Sequence, residues 1–235
     1  MTKAGIIKAG ITKAGTTKPE LIKGVLFDLD GTLVDTAPDL VQALNLALAD
    51  FGYPTKSLVE VRDAASNGSL ALVNAAEPHI DEAEKTAIQQ ALLHHYHQVN
   101  GDQAQLFDGI APLLTHLCEL DIPFGVVTNK AARFARPLLH RLELAHLMPA
   151  IISGDSTTQS KPNPAPMRLA AQQLGVHCNR ILYLGDARRD LEAACNSQML
   201  GGIAHWGYIA NNDQAELWPH DYGFTTPIEV IELLK

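Results

Sequence analysis

From Gly101 onward, short apolar runs and helix-patterned stretches take turns, and that alternation admits very few architectures. The spacing predicts helix 109–120 leading to a strand at 123–127, helix 131–141 to a strand at 149–152, and helix 165–174 to a strand at 180–184. Helix 188–196 then leads to a strand at 199–204, and a last strand near 222–224 precedes helix 227–234. Strand and helix in alternation imply a parallel sheet with helices on both faces, joined by right-handed crossovers. One further apolar run, Leu21–Phe27, belongs to this pattern but is separated from it by a long stretch with no convincing strand.

That stretch reads as helices. Thr36-Ala37-Pro38-Asp39 fits a helix start, with a Thr cap and an acidic residue three positions later. Leu40, Val41, Leu44, Leu48 and Phe51 follow at helical spacing, and residues 57–64, 68–76 and 81–99 continue the pattern. In the last segment Ala83, Ala87, Ile88, Ala91, Leu92, Tyr96 and Val99 form one stripe. The expected fold class is therefore α/β, a doubly wound, Rossmann-like parallel sheet with a small helical cap inserted after the first strand. The core would comprise residues 21–36 and 103–235, and the cap residues 37–102. Ligands of open parallel sheets bind beyond the carboxyl ends of the strands, so the chemistry is sought there.

Residues 1–20 stand apart. Lys-Ala-Gly recurs at 3–5, 8–10 and 13–15, and Gly at every fifth position weakens a helix. This tail is expected to be a disordered repeat extension that contributes no core. It has no continuous apolar stretch of the kind a signal peptide needs. Elsewhere the apolar runs fall far short of the ~20 residues of a membrane helix. A net charge of −8 argues against a nucleic-acid partner, because phosphate backbones require clustered Lys and Arg. Cys118, Cys178 and Cys195 are too scattered for a zinc or redox motif and fit a reduced, cytoplasmic setting.

Four polar clusters lie at or just after the strand ends. The first is Asp28-Leu29-Asp30-Gly31-Thr32. A period of two aims both carboxylates past the strand on the same side. Two carboxylates this close need a cation, so one is expected to pair with metal and the other to keep its proton. That division suits phosphoryl transfer, in which one carboxylate attacks phosphorus and an acid protonates the departing oxygen. Gly31 lets backbone amides approach the phosphoryl oxygens. The second cluster, Thr128-Asn129, offers neutral hydrogen-bond donors to phosphoryl oxygens. Lys161, in the Ser160-Lys161-Pro162-Asn163-Pro164 loop, supplies a fixed ammonium to offset charge. The fourth, Gly185-Asp186-Ala187-Arg188-Arg189-Asp190, adds Asp186 as an oxygen ligand for Mg²⁺, with Asp190 to hold its waters or orient Lys161.

DLDGTLVDT, VVTN, SKPNP and GDARRD, in this order, resemble the signature motifs of the haloacid dehalogenase-like hydrolases, over about residues 22–235. The resemblance implies that Asp28 is the nucleophile and Asp30 the general acid and base. Thr128 and Lys161 would hold the phosphoryl group. Mg²⁺ would be bound by Asp28, Asp30 (through its backbone carbonyl), Asp186 and Asp190. The helical insertion is similar to the cap of the phosphoglycolate phosphatase-like branch, and the acidic residue at position 30 disfavours dehalogenation. Residues 126–144 and the HWGYI segment at 205–209 further resemble the N-acetylmuramic acid 6-phosphate phosphatases. The implied activity is Mg²⁺-dependent hydrolysis of a small phosphate ester by a monomer or homodimer, with no nucleic-acid or membrane partner.

Other features point less directly. His94, His95 and His97 lack an acidic or Cys partner at matching spacing and read as a solvated helix face. Arg133 and Arg136 either guide an anionic substrate or cover a helix face, while Arg188 and Arg189 read as surface or supporting residues. Arg62 is a candidate partner for a substrate carboxylate. A phosphomutase or a non-catalytic binding module on the same fold remains open. A nucleotide-dependent dehydrogenase is disfavoured because no GxGxxG opens a helix after the first strand.

Overall fold

Strands β2 (Gly24–Phe27), β5 (Phe124–Val127), β7 (Ile181–Gly185) and β8 (Leu200–Ala204) are buried at every position, as a sheet covered on both faces requires. The computed structural model describes residues 12–13, 22–210 and 212–235. With β6 (Ala150–Ile152) and β9 (Tyr222–Phe224) these strands form a parallel sheet in the order β9-β8-β7-β2-β5-β6. The strand order reverses at β2, where Val25 lies opposite both Phe124 and Leu182. The residues that follow β2, β5 and β7 therefore converge at one sheet edge.

Alternate side chains feed two layers. Val25, Phe27, Val126, Leu182 and Leu184 pack against α5 (Ile110–Glu119), α6 (Ala132–Arg141) and α9 (Pro227–Leu234). Leu26, Val127, Ile181 and Tyr183 pack against α7 (Ala165–Leu174) and α8 (Arg188–Ser197). Each large apolar side chain so buried contributes roughly 1.5–3 kcal/mol.

The helical insertion has its own core. Leu44 and Leu48 of α1 (Ala37–Asp50), Leu72 of α3 (Ser69–Ala76), and Ile88, Leu92 and Tyr96 of α4 (Glu82–Val99) pack together. The segment expected as one helix over 57–64 is a single turn, α2 (Leu58–Val61), that tightens into a 3-10 turn over Arg62–Asn67. Gly68, at φ 90°, ends it and turns the chain into α3.

A two-stranded antiparallel ribbon, β3 (Val34–Asp35) with β4 (Gln105–Leu106), marks where the chain leaves and rejoins the sheet domain. Its two-residue strands are too short to show a period. Beside it the buried Asp39 carboxylate accepts from the N–H groups of Gly101 (2.7 Å), Gln103 (2.8 Å) and Ala104 (3.2 Å), tying exit to return.

Within the repeat tail, Thr12–Lys13 forms β1, antiparallel to β9, with Thr12 opposite Gly223. This departs from the expectation of a wholly disordered extension: β9 offers unpaired backbone groups, and pairing with them needs no apolar side chain. The rest of the tail lies outside the described residues. Among the described residues no helix is long and apolar enough to cross a membrane.

Candidate active site

Asp28 continues the ladder of β2, its N–H donating to the carbonyl of Leu184 at 2.8 Å. The residue is 2 % exposed, and Leu29 N–H donates to its Oδ1 at 2.7 Å. Lys161 Nζ sits 2.8 Å from Asp28 Oδ1 and 2.8 Å from Asp190 Oδ1. It also donates to the Val127 carbonyl (2.9 Å) and the Tyr183 hydroxyl (2.7 Å), so four oxygens surround one buried ammonium. This contact places Asp190 beside Lys161, which the sequence offered as one of two roles, the other being to hold the waters of the metal.

Asn129 sits elsewhere in the logic than expected. Its side-chain amide donates to the Lys161 carbonyl at 3.0 Å, and its Oδ1 accepts from Lys161 N–H at 2.9 Å. Both ends of the amide brace the lysine loop, and Asn129 also lines the cavity that holds Asp28 and Thr128. Thr128 is buried at the same strand end, and its Oγ1 accepts from Lys130 N–H at 3.1 Å. Its hydroxyl proton is left for a ligand.

Lys130, unremarked in the sequence, pairs with Asp30 Oδ1 at 2.8 Å, and Thr36 donates to the same oxygen at 2.6 Å. Burial alone would lower the Lys130 pKa, but the Asp30 carboxylate and Tyr96 outweigh it and hold the ammonium above its ordinary range. Asp28 and Asp30 thus each have an ammonium partner. From their spacing one was expected to pair with metal and the other to keep its proton; here two ammonium groups supply positive charge beside them. The sequence signal was adjacency: Lys130 directly follows Thr128-Asn129.

Asp28, Asp186 and Asp190 form a buried cluster whose carboxylate oxygens lie within 4.8 Å of one another. Burial, then the charges of Asp190 and Asp28, push the Asp186 carboxyl up to about 7, against the donors Ser66 and Tyr208. An all-oxygen acidic set with too little positive charge fits a hard divalent cation such as Mg²⁺. Gly31, at φ 83°, is part of the fit, since a Cβ there would collide with the Asp186 carboxylate. The Asp30 side chain is outside the cluster, held by Lys130 and Thr36, and only its backbone carbonyl was expected as a ligand. That carbonyl lies 3.3 Å from Ser66 Oγ, which also donates to Asp186 Oδ2 at 2.6 Å.

Ser66 belongs to the helical insertion, and Arg189 fastens it. One guanidinium nitrogen donates to the Ser66 carbonyl (2.5 Å) and another to Asn67 Oδ1 (3.0 Å). Of the Arg62–Ser69 stretch, expected to face the metal when the cap closes, Ser66 reaches the acidic cluster. Arg62 is not brought to the cavity: its guanidinium donates to Asp35 Oδ2 at 2.8 Å and lies over the Tyr208 ring at 5.0 Å. An acidic partner on β3, invisible to local spacing, captures it. Tyr208, from the HWGYI segment, also donates to Asp35 Oδ1 (2.7 Å), and its N–H donates to Asp186 Oδ2 (2.9 Å).

Between sheet edge and insertion lies a cavity of about 390 Å³, lined among others by Asp28, Asp30, Thr128, Lys130, Ser66 and Tyr96. Among the described residues the histidines 94, 95 and 97 form no metal-ligating group, and His95 Nε2 lies 2.7 Å from Asp50 Oδ2.

Comparison with known proteins agrees with this geometry. A model of the haloacid dehalogenase-like hydrolases matches residues 25–200, and the chain belongs to that family. It is 36% identical over 210 residues to a phosphoglycolate phosphatase of Xanthomonas campestris pv. campestris, covering 89% of this chain and 95% of that one. It is equally 36% identical, over 214 residues, to the N-acetylmuramic acid 6-phosphate phosphatase of Pseudomonas aeruginosa, covering 91% and 95%. A crystal structure of a predicted phosphoglycolate phosphatase from Haemophilus somnus superposes with a TM-score of 0.81 at 27% identity, covering 94% of this chain and 100% of that one.

Proposed function

We propose that the protein is a Mg²⁺-dependent phosphatase that hydrolyses a small carboxylate-bearing phosphate ester through an aspartyl-phosphate on Asp28. The observation that carries this reading is the Asp28 carboxylate at the cavity wall, held by Lys161 at 2.8 Å with the acidic cluster behind it. Asp28 attacks phosphorus, the ester P–O bond breaks, and Asp30 delivers a proton to the departing oxygen. Water then attacks the phosphorus of the aspartyl-phosphate while Asp30 takes up its proton, releasing inorganic phosphate and restoring Asp28. Thr128 and Lys161 orient the phosphoryl oxygens, and Lys130 and Thr36 fix the Asp30 carboxyl group. Asp28, the Asp30 carbonyl and Asp186, with Asp190 adjoining, would hold the Mg²⁺, which supplies charge neutralisation of the phosphoryl group.

The helical insertion acts as the cap that selects the remainder of the ester. The relatives support two substrates, N-acetylmuramic acid 6-phosphate and 2-phosphoglycolate. Free Cys118, Cys178 and Cys195 fit a cytoplasmic setting. Phosphate release from both esters and from sugar 6-phosphates, with and without chelator, tests the reading. Full activity in excess chelator would overturn it.

A further inference from the structure

Three cations line the cavity above Asp28, and two of them are already committed. Lys130 is bound to Asp30, and Arg189 to the Ser66 carbonyl and Asn67. Just outside, Lys161 is held by Asp28 and Asp190, and Arg62 by Asp35. Among the described residues Arg133 has no carboxylate or carbonyl partner. Its guanidinium lies over the Phe134 ring at 4.8 Å. Arg136, the alternative from sequence, borders neither this cavity nor the next.

Arg133 also stands at a boundary. A second cavity, of about 330 Å³, shares Leu93, Arg133 and Phe134 with the first and is completed by Gln90, His94 and His97 of α4. Gln90, His94 and His97 are exposed on α4, and the His97 ring lies edge-on to Phe134 with centroids 6.4 Å apart. Pockets that enclose a whole small ligand run to about 300–1,000 Å³; the inner cavity alone reaches the bottom of that range.

We propose that Arg133 and the outer compartment of Gln90, Leu93, His94, His97 and Phe134 form the subsite for the far end of a sugar-sized phosphate ester, with Arg133 pairing its carboxylate. A planar guanidinium matches a carboxylate through two parallel hydrogen bonds. Leu93 and Phe134 give an apolar wall for methyl groups and the C–H face of a sugar ring. Gln90, His94 and His97 offer partners for hydroxyl and acetamido groups. In 2-phosphoglycolate the carboxylate is too near the phosphate to leave the inner cavity. In N-acetylmuramic acid 6-phosphate the lactyl carboxylate stands across the sugar from the phosphate. The inference rests on the phosphatase reading above and chooses the amino sugar from its two substrates.

The test is steady-state kinetics of the full chain with Mg²⁺ on N-acetylmuramic acid 6-phosphate, N-acetylglucosamine 6-phosphate (the same sugar without the lactyl group), 2-phosphoglycolate and p-nitrophenyl phosphate. Wild type should prefer the lactyl sugar. Arg133→Ala should lower the ratio of kcat/KM for the lactyl over the unmodified sugar by about 10- to 100-fold, the value of a charge-assisted pair, mainly through KM. Arg133→Lys should recover part of that ratio. Gln90→Trp, which fills the outer compartment, should raise KM for both sugars more than for the aryl ester. An unchanged ratio in Arg133→Ala, or a wild-type preference for 2-phosphoglycolate, overturns the subsite while leaving the phosphatase standing. No turnover of any of the four esters overturns both.

Discussion

Ser66 of the helical insertion donates to Asp186 of the sheet domain across 2.6 Å, and Arg189, three residues after Asp186, holds the Ser66 carbonyl. The stretch from the end of β7 into the first turn of α8 therefore carries both an acid of the buried cluster and the clasp for the insertion. Tyr208 adds a third tie, since its N–H reaches Asp186 and its hydroxyl reaches Asp35 beside the crossing point of the chain. The acidic cluster and the closure of the insertion share their supports.

Asp186 also makes the metal-free protein sensitive to pH. Its carboxyl is pushed up from 3.8 to about 7 by burial and by Asp190 and Asp28, so between those values the folded state holds a proton that the unfolded chain has lost. Stability must then fall as pH rises through this window, with the loss complete above about 7. In chelator, Tm of the wild type should drop between about pH 4 and 7 relative to Asp186→Asn, which lacks the titration. Added Mg²⁺ should shrink the drop, because the ion favours the ionised carboxylate. Parallel Tm profiles for wild type and variant would show that Asp186 titrates normally.

Asp28→Asn keeps the shape of the side chain and its place beside Lys161 but removes the attacking charge. Turnover should fall by at least about a thousandfold, ~4 kcal/mol of barrier, with an unchanged circular dichroism spectrum. Retention of more than about a tenth of the wild-type rate, under ~1.4 kcal/mol, would place the nucleophile elsewhere. Beryllium fluoride, which mimics a phosphoryl group on a carboxylate, should inhibit the wild type and not the Asn variant.

Much of this site was readable before any coordinates. Strands such as Ile181–Gly185 are unbroken apolar runs, and their polar successors had to converge once the sheet was parallel with β2 at its centre. While Lys161 and Asp190 came from the proline-rich loop and from the helical turn after Asp186, Asp28, Thr128 and Asp186 fell out of that rule. The contacts between domains did not. Arg62 with Asp35 and Arg189 with Ser66 join residues 27 and 123 positions apart, so no local period reports them. Lys130 was missed for another reason: a lysine after a strand end is ordinarily a surface residue, and only the Asp30 carboxylate 2.8 Å away makes it part of the site. The ribbon of Val34–Asp35 with Gln105–Leu106 was too short to show.

Asp30→Asn separates proton delivery from attack. Alkyl phosphates leave as poor alkoxides and need the proton, whereas a nitrophenolate departs without it. The variant should lose about 100- to 10,000-fold on an alkyl ester, the usual span for general acid catalysis, and distinctly less on p-nitrophenyl phosphate. The variant leaves the buried Lys130 ammonium without its charge partner, so a thermal melt alongside the kinetics separates loss of the proton from loss of the fold. Equal losses on both esters would mean that Asp30 acts by position or charge alone.

Arg62 is where sequence and structure part most sharply, and its variant distinguishes them. A specificity residue would change KM for carboxylate-bearing esters only. In the structure Arg62 is a strut: it joins the insertion to Asp35 at 2.8 Å and stacks over Tyr208, itself tied to the Asp186 loop. Its side chain is 32% exposed and that of Asp35 17%, so water screens the pair only in part. Losing it should cost about 1 kcal/mol. For a chain of this length that is a Tm decrease of roughly 2–4 °C. Arg62→Ala should therefore lower Tm and reduce kcat/KM by similar factors on N-acetylmuramic acid 6-phosphate and on p-nitrophenyl phosphate, because a loosened insertion closes less well over any ester. Thermal melts and kinetics on the two substrates decide the point. A selective rise in KM for the carboxylated sugar, with Tm unchanged, would return Arg62 to the substrate and displace Arg133 from that role.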